Sequence, residues 1–282
     1  MRKLIFISLL CLVPLLFAEA AELNVPEHVT AGSAFSISAS GSGSATFYLV
    51  GPSLAAKRQV QLGSEIRVAA DEIQTEGRYV AVVCGSDGCS SAAFFVTASD
   101  PAKISFLLHP SRVPVADRDA INATAFVFDR YYNPVLKPVT VDFQIVPKNG
   151  KPFVQTVKAT RGVAWMRMSS TPKEGPVKVI AALGEASEPR VIQQVASEAC
   201  HLRIKATRTA KGVLVETDPV RDCSGNAVPD GTIVSFTAVD ANGKSTVDAP
   251  VKKGVARTQF PISGRATISV ASGVVIGNEI RL

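Results

Sequence analysis

The chain has 282 residues, 46% of them hydrophobic, enough for two or three domains with cores of their own. Charged residues make up 19% and aromatic residues 6%, and the net charge is +6. That balance excludes a disordered chain and a coiled coil. Val, Ile, Ala and Leu carry the apolar content among abundant Thr and Ser, a mixture that favours strands.

The N-terminus reads as a targeting segment. Arg2 and Lys3 form a positive start, and Leu4 to Phe17 is an apolar run too short to span a bilayer comfortably. Ala18-Glu19-Ala20 then offers a small-residue cleavage site. Residues 1–20 are expected to be a signal peptide, cut after Ala20 or Ala21. Cys11 lies inside the apolar run, not after a lipobox, which argues against lipidation. No later segment is apolar and long enough to be transmembrane, so the mature chain is expected to have no membrane span.

Residues 22–100 read as a first domain. Phe35, Ile37 and Ala39 alternate with serines, the period of a half-buried strand. Gly41-Ser42-Gly43-Ser44 breaks it, Ala45 to Val50 follows, and Gly51-Pro52-Ser53 turns the chain. Short strands are expected at Val60 to Leu62 and Ile66 to Ala70. A strong one runs from Tyr79 to Cys84, with Ser90 to Ala98 as its hairpin partner. Tyr79 follows a glycine turn at the start of a late strand. It is either the tyrosine corner of an immunoglobulin-like domain or a half-buried strand tyrosine. Cys84 and Cys89 bracket a tight turn that their own disulfide would close; a redox C-x-x-C has a shorter interval and starts a helix.

Ser99-Asp100-Pro101-Ala102 reads as a linker to a second domain, 101–196. Its expected inward rows are Ile104, Phe106 and Leu108, then Ala123, Ala125 and Val127, then Val139, Val141 and Phe143. Gly162 to Met166 and Val177 to Ala182 open further strands. A third domain, 197–282, is expected to begin with Leu202 and Ile204 and to end on Ile276 to Leu282. Four cysteines remain after the leader, an even set that suits an oxidising compartment. With Cys84 and Cys89 paired, Cys200 is left for Cys223.

The second and third domains repeat one another. Asp129, Asn133 and Phe143 keep the same intervals as Asp222, Asn226 and Phe236. Gly-Val-Ala follows in both, at Gly162 and Gly254, and each finishes on an alternating strand. A period near ninety residues means tandem domains, since solenoid repeats run about 20–50 residues. The stretch from Asp222 to Phe236 reads Asp-x-x-Gly-Asn-x-Val-Pro-Asp-Gly-Thr-x-Val-x-Phe, followed by Gly-x-Ala. It resembles the group 1 bacterial immunoglobulin-like domain of invasin and intimin. The second domain resembles it in part, with Tyr132 in place of the turn glycine and Leu136-Lys137-Pro138 in place of Pro-Asp-Gly. The first is only broadly immunoglobulin-like. In this pattern Gly225 takes the left-handed backbone, Asn226 bonds nearby backbone, and Val234 and Phe236 are buried.

The fold expectation is therefore all-β, three tandem immunoglobulin-like β-sandwiches after a cleaved signal peptide. The resemblance implies a non-catalytic, exported protein acting in adhesion, or as a structural or binding module of the bacterial cell envelope. The alternative is an accessory glycan- or protein-binding subunit of a secreted or periplasmic assembly. Invasin-like proteins carry a membrane barrel and a terminal binding cap that this sequence does not show, so periplasm, cell surface and extracellular space all remain open.

Chemistry-bearing residues are sparse. His28, His109 and His201 stand apart, with no second ligand near in sequence, so no metal site is expected. Asp117 with Asp119 and Asp71 with Glu72 read as solvated acids rather than the six to eight oxygens calcium takes. No nucleophile elbow, P-loop or dinucleotide fingerprint occurs, so neither a cofactor nor an enzyme is expected. The glycosylation sequon Asn122-Ala123-Thr124 falls inside an expected strand. Charge is uneven: net −4 over 22–100, +6 over 101–196 and +3 over 197–282. Lys148, Lys151, Lys158, Arg161, Arg167, Lys173 and Lys178 make the second domain basic, as a polyanion ligand or solvated strand faces would require. Aromatic residues are not interleaved with these charges, which disfavours nucleic acid. The expected partner is a protein or glycan at the cell envelope, and Tyr131-Tyr132 is the local candidate for an aromatic strip.

Overall fold

The structure, a computed structural model, describes residues 21–148 and 150–282. The expected signal peptide and Cys11 lie outside the described residues. The chain is all-β; among the described residues the one helical element is a short 3-10 turn, Ala70–Glu72. No helix of the described residues is long and apolar enough to cross a membrane. Among the described residues two compact units emerge: 21–100 together with Asp129–Asn133, and 101–128 together with 134–148 and 150–282.

In the first unit, Leu23–Asn24, Phe35–Ala39 and Glu65–Val68 form a three-stranded sheet. A five-stranded sheet runs in the order His28–Thr30, Gly88–Thr97, Gly77–Gly85, Ser44–Gly51, Leu54–Gln61. Side chains alternate across a strand, so Ile37 and Ala39 from one sheet meet Phe47, Leu49, Tyr79, Ala81, Val83 and Phe94 from the other in one core. The opening strand is split between the sheets: Leu23–Asn24 pairs antiparallel with Phe35–Ala39, and His28–Thr30 pairs parallel with Gly88–Thr97. Tyr79 is fully buried and its hydroxyl donates to Thr75 O at 3.0 Å, the bond that defines a tyrosine corner. Burial pushes its hydroxyl pKa up.

The second unit carries two further groups of sheets. From residue 101 to 195, Val163–Met168, Ile121–Asp129 and Pro101–His109 make one sheet. Arg112–Pro114, Ala186–Val195, Gly175–Leu183, Val139–Pro147 and Phe153–Ala159 make the other. Ile121, Ala123, Ala125 and Val127 are fully buried, and the rings of Phe106 and Phe143 lie 5.7 Å apart. From residue 199 to 281, Ile204–Thr209, Gly212–Thr217 and Arg257–Phe260 form a three-stranded sheet beside Gly243–Pro250, Ile233–Asp240, Ala266–Ser272 and Val275–Arg281. Val213, Val215, Val234, Phe236, Phe260 and Ile268 share their core.

Some sequence boundaries move. Pro101 and Ala102, expected as linker, open the strand Pro101–His109. The strand expected over Ile66 to Ala70 ends at Val68, because Ala70 starts the 3-10 turn. Beside the repeated Gly254-Val255-Ala256, Lys252 and Val255 form an isolated bridge before Arg257–Phe260. Phe153–Ala159 and Gly243–Pro250 are strands that no apolar alternation announces.

Candidate functional site

The repeated Asp and Asn do more than shape their own turns. Asp222 is almost fully buried, and its Oδ1 accepts from the backbone N–H groups of Ser224 and Asn226 at 2.9 and 2.8 Å. Its Oδ2 accepts from the Asn226 side chain at 3.0 Å and from Ser197 N–H, in the connecting chain, at 3.1 Å. Asn226, also buried, then reaches out of its turn. Its Nδ2 donates to Pro172 O at 2.9 Å, and its Oδ1 accepts from Glu174 N–H at 3.3 Å. Pro172 and Glu174 lie in the loop between Val163–Met168 and Gly175–Leu183. One carboxamide thus satisfies a carbonyl and an amide two residues apart, as a neighbouring strand would. The sequence reading placed the bonds of Asn226 in nearby backbone; the structure corrects this to a loop of the preceding group of strands.

The same arrangement occurs within the first unit. Asp129 accepts from Tyr131 N–H at 2.8 Å, Asn133 N–H at 2.9 Å and Ser99 N–H at 2.9 Å. Asn133 Nδ2 donates to Gln74 O at 2.7 Å, and its Oδ1 accepts from Glu76 N–H at 2.8 Å. The Tyr131 ring fills the space over Gly32, where any Cβ would collide with it. Both carboxylates sit in this pattern of donors. Burial alone would raise their pKa values, but the bonds from Asn133, Ser99 and Tyr131, and from Asn226, Ser197 and Ser224, together hold Asp129 and Asp222 below the ordinary carboxylate value. Burial, and then the Asp129 charge, push Glu76 up.

Cys84 is bonded to Cys89 and Cys200 to Cys223. The first bridge closes the hairpin between Gly77–Gly85 and Gly88–Thr97. The second staples Ala199–Cys200 to the start of the Asp222 turn, where Ala199 and Asp222 are already strand partners. It therefore fixes the turn that carries Asn226.

The other singled-out residues do not converge. His28, His109 and His201 are exposed and lie on separate elements. Glu72 is held by Arg58 at 2.7 Å and by Ala69 N–H at 2.8 Å. Asp117 and Asp119 donate their backbone N–H groups to Ser170 and Ser169. Among the described residues no three His, Cys, Asp or Glu side chains gather in a group that could hold a metal ion. The basic residues of 101–196 are spread over different sheets, Arg167 on Val163–Met168 and Lys158 and Lys178 on the other. Tyr131 and Tyr132 do not form a strip: Tyr131 packs on Gly32, while Tyr132 is exposed.

Trp165 was not singled out in the sequence, yet it is the one tryptophan and is 51% exposed on an outer sheet face. Its signal was present: Ala164, Met166 and Met168 are the inward row, which turns Trp165 and Arg167 outward.

No family model matches the chain, and no curated protein sequence matches it. Among solved structures, the chain is similar to FdeC, an adhesin of Escherichia coli. The identity is 15% and the TM-score 0.59, over 91% of this chain and 93% of that one. The likeness is one of fold. Invasin, a bacterial integrin-binding protein, matches at 14% identity and a TM-score of 0.48, over 91% of this chain and 57% of invasin. The architecture is that of immunoglobulin-like sandwiches.

Proposed function

We propose that this chain is an exported, non-catalytic adhesion protein of the bacterial cell envelope. It is read as three immunoglobulin-like domains, 22–100, 101–196 and 197–282, behind a cleaved leader of residues 1–20. The second and third are of the group 1 bacterial type. The observation that carries the reading is the buried Asp222–Asn226 pair, which ties the connecting chain at Ser197 and the loop at Pro172 and Glu174 into one joint. A joint of this kind transmits position along a chain, which is what a protein that presents a surface away from its anchor needs. The FdeC likeness supports it at the level of fold.

The test is retention. Beads bearing the chain from Glu22 are offered to epithelial monolayers and, separately, to bacterial envelope extract, beside beads bearing Asn226→Ala. Retention on cells that the variant weakens is the expected result. Capture of envelope components alone would favour an accessory subunit of a periplasmic or secreted assembly. Background in both would end the binding reading.

A further inference from the structure

One outer face in the second unit is built unlike its surroundings. The strands Ile121–Asp129 and Val163–Met168 pair so that Thr124 stands opposite Trp165 and Asn122 opposite Arg167. Ala123, Ala125, Ala164 and Met166 point into the core, so these four side chains share the outward face, with Phe126 and Val163 as the next outward pair. Neighbouring strands lie about 4.8 Å apart and same-face residues about 7 Å apart along a strand, so the four cover the area of one or two sugar rings. Arg167 lies 5.5 Å from the centre of the Trp165 ring. Among the described residues, the side chains of Asn122, Thr124 and Arg167 have no hydrogen-bond or ion-pair partner. The three strands of this sheet carry no acidic residue except Asp129, which is buried.

We propose that this face is a binding site for an acidic oligosaccharide, one bearing a uronic or sialic carboxylate. The π-face of tryptophan carries negative charge density and attracts the slightly positive C–H face of a pyranose. Asn122 and Thr124 offer free donors and acceptors for ring hydroxyls. Arg167 is a planar, permanently charged donor without a carboxylate of its own, and it matches a sugar carboxylate bidentately. The +6 charge of residues 101–196 favours such a ligand at longer range. Phe126 and Val163, the next outward pair, are partly buried and border the ring on one side. The exposed side carries Asn122, Thr124 and the unpaired Arg167, a polar and cationic rim that favours a sugar carboxylate over the desolvated apolar centre of a protein hot spot. The site is independent of the Asp222–Asn226 joint, so its failure would leave the adhesion reading to be judged by the retention test.

Trp165 is the sole tryptophan, so its fluorescence reports on this face alone. Titration of the chain from Glu22 with trigalacturonate or 3′-sialyllactose is expected to shift Trp165 emission; lactose and cellotriose should bind at least about tenfold more weakly. Arg167→Gln should lower acidic-sugar affinity to the level of the neutral sugars, while Trp165→Ala should abolish the calorimetric signal. Trp165→Phe, which keeps a ring, should retain part of it. The proposal is overturned if neither acidic sugar moves the emission at roughly millimolar concentration. Equal binding of neutral sugars, calorimetric binding that survives Trp165→Ala, or a stronger response to a polyglutamate peptide than to either sugar would also overturn it. Should Trp165→Ala lose its fold by circular dichroism, Arg167→Gln and Trp165→Phe decide.

Discussion

Tyr132 and Gly225 occupy the same place in the two repeats, and both have positive φ, 69° and 82°. Glycine adopts that backbone freely, whereas a side chain there costs about 1–2 kcal/mol. Tyr132→Gly is therefore expected to raise unfolding free energy by about 1 kcal/mol once the extra freedom of glycine in the unfolded chain is subtracted. Chemical denaturation would measure it. Asp222 supplies a second prediction. Its folded pKa lies below the unfolded value, so its contribution to stability is full above about pH 4, the ordinary carboxylate range, and is lost as the pH falls through the folded value. Melting temperature should fall more steeply below about pH 4 in the wild type than in Asp222→Asn, which has already lost the charge. An equal slope in both would place the acid sensitivity elsewhere.

At the level of elements, alternation made the central strands legible. Ile121–Asp129 is buried at every second position, and the sequence shows it. The edge strands Phe153–Ala159 and Gly243–Pro250 are exposed along most of their length, so no inward row marks them. They are visible only through their pairing with Val139–Pro147 and Ile233–Asp240. The Asp–Asn spacing was legible as a repeat, but its reach to Pro172 and Glu174 was not, because those contacts span more than fifty residues of chain. Trp165 was missed for a different reason: strand periodicity sorts residues inward and outward without saying which outward ones stand on a bare face. The Cys200–Cys223 bridge closes a separation of 23 residues. Replacing both cysteines by serine should cost about 3 kcal/mol, read by denaturation under oxidising conditions, while a reducing agent, which also opens Cys84–Cys89, should cost the wild type more.

At the scale of the molecule, the Asp222–Asn226 pair hydrogen-bonds the strands of residues 199–281 to the connecting chain at Ser197 and to the loop at Pro172 and Glu174. Asn226→Ala removes the donors to Pro172 O and to the Asp222 carboxylate together with one acceptor at a buried position, and Glu174 N–H loses its partner. Hydrogen exchange at Glu174 should accelerate by about tenfold or more, with core amides such as Phe236 unchanged. Exchange that rose equally in the core would mean that the carboxamide supports the sandwich rather than the joint. The hydrogen bonds of the carboxamide to the preceding loop go to main-chain atoms, Pro172 O and Glu174 N–H, which any loop sequence without proline at 174 can supply. Gln74 O and Glu76 N–H in the first unit are spaced the same way and engage Asn133. Because main-chain atoms answer the Asn in both repeats, substitutions can accumulate in either loop without disturbing its bonds to the carboxamide, so the Asp and Asn are the positions where change is least tolerated.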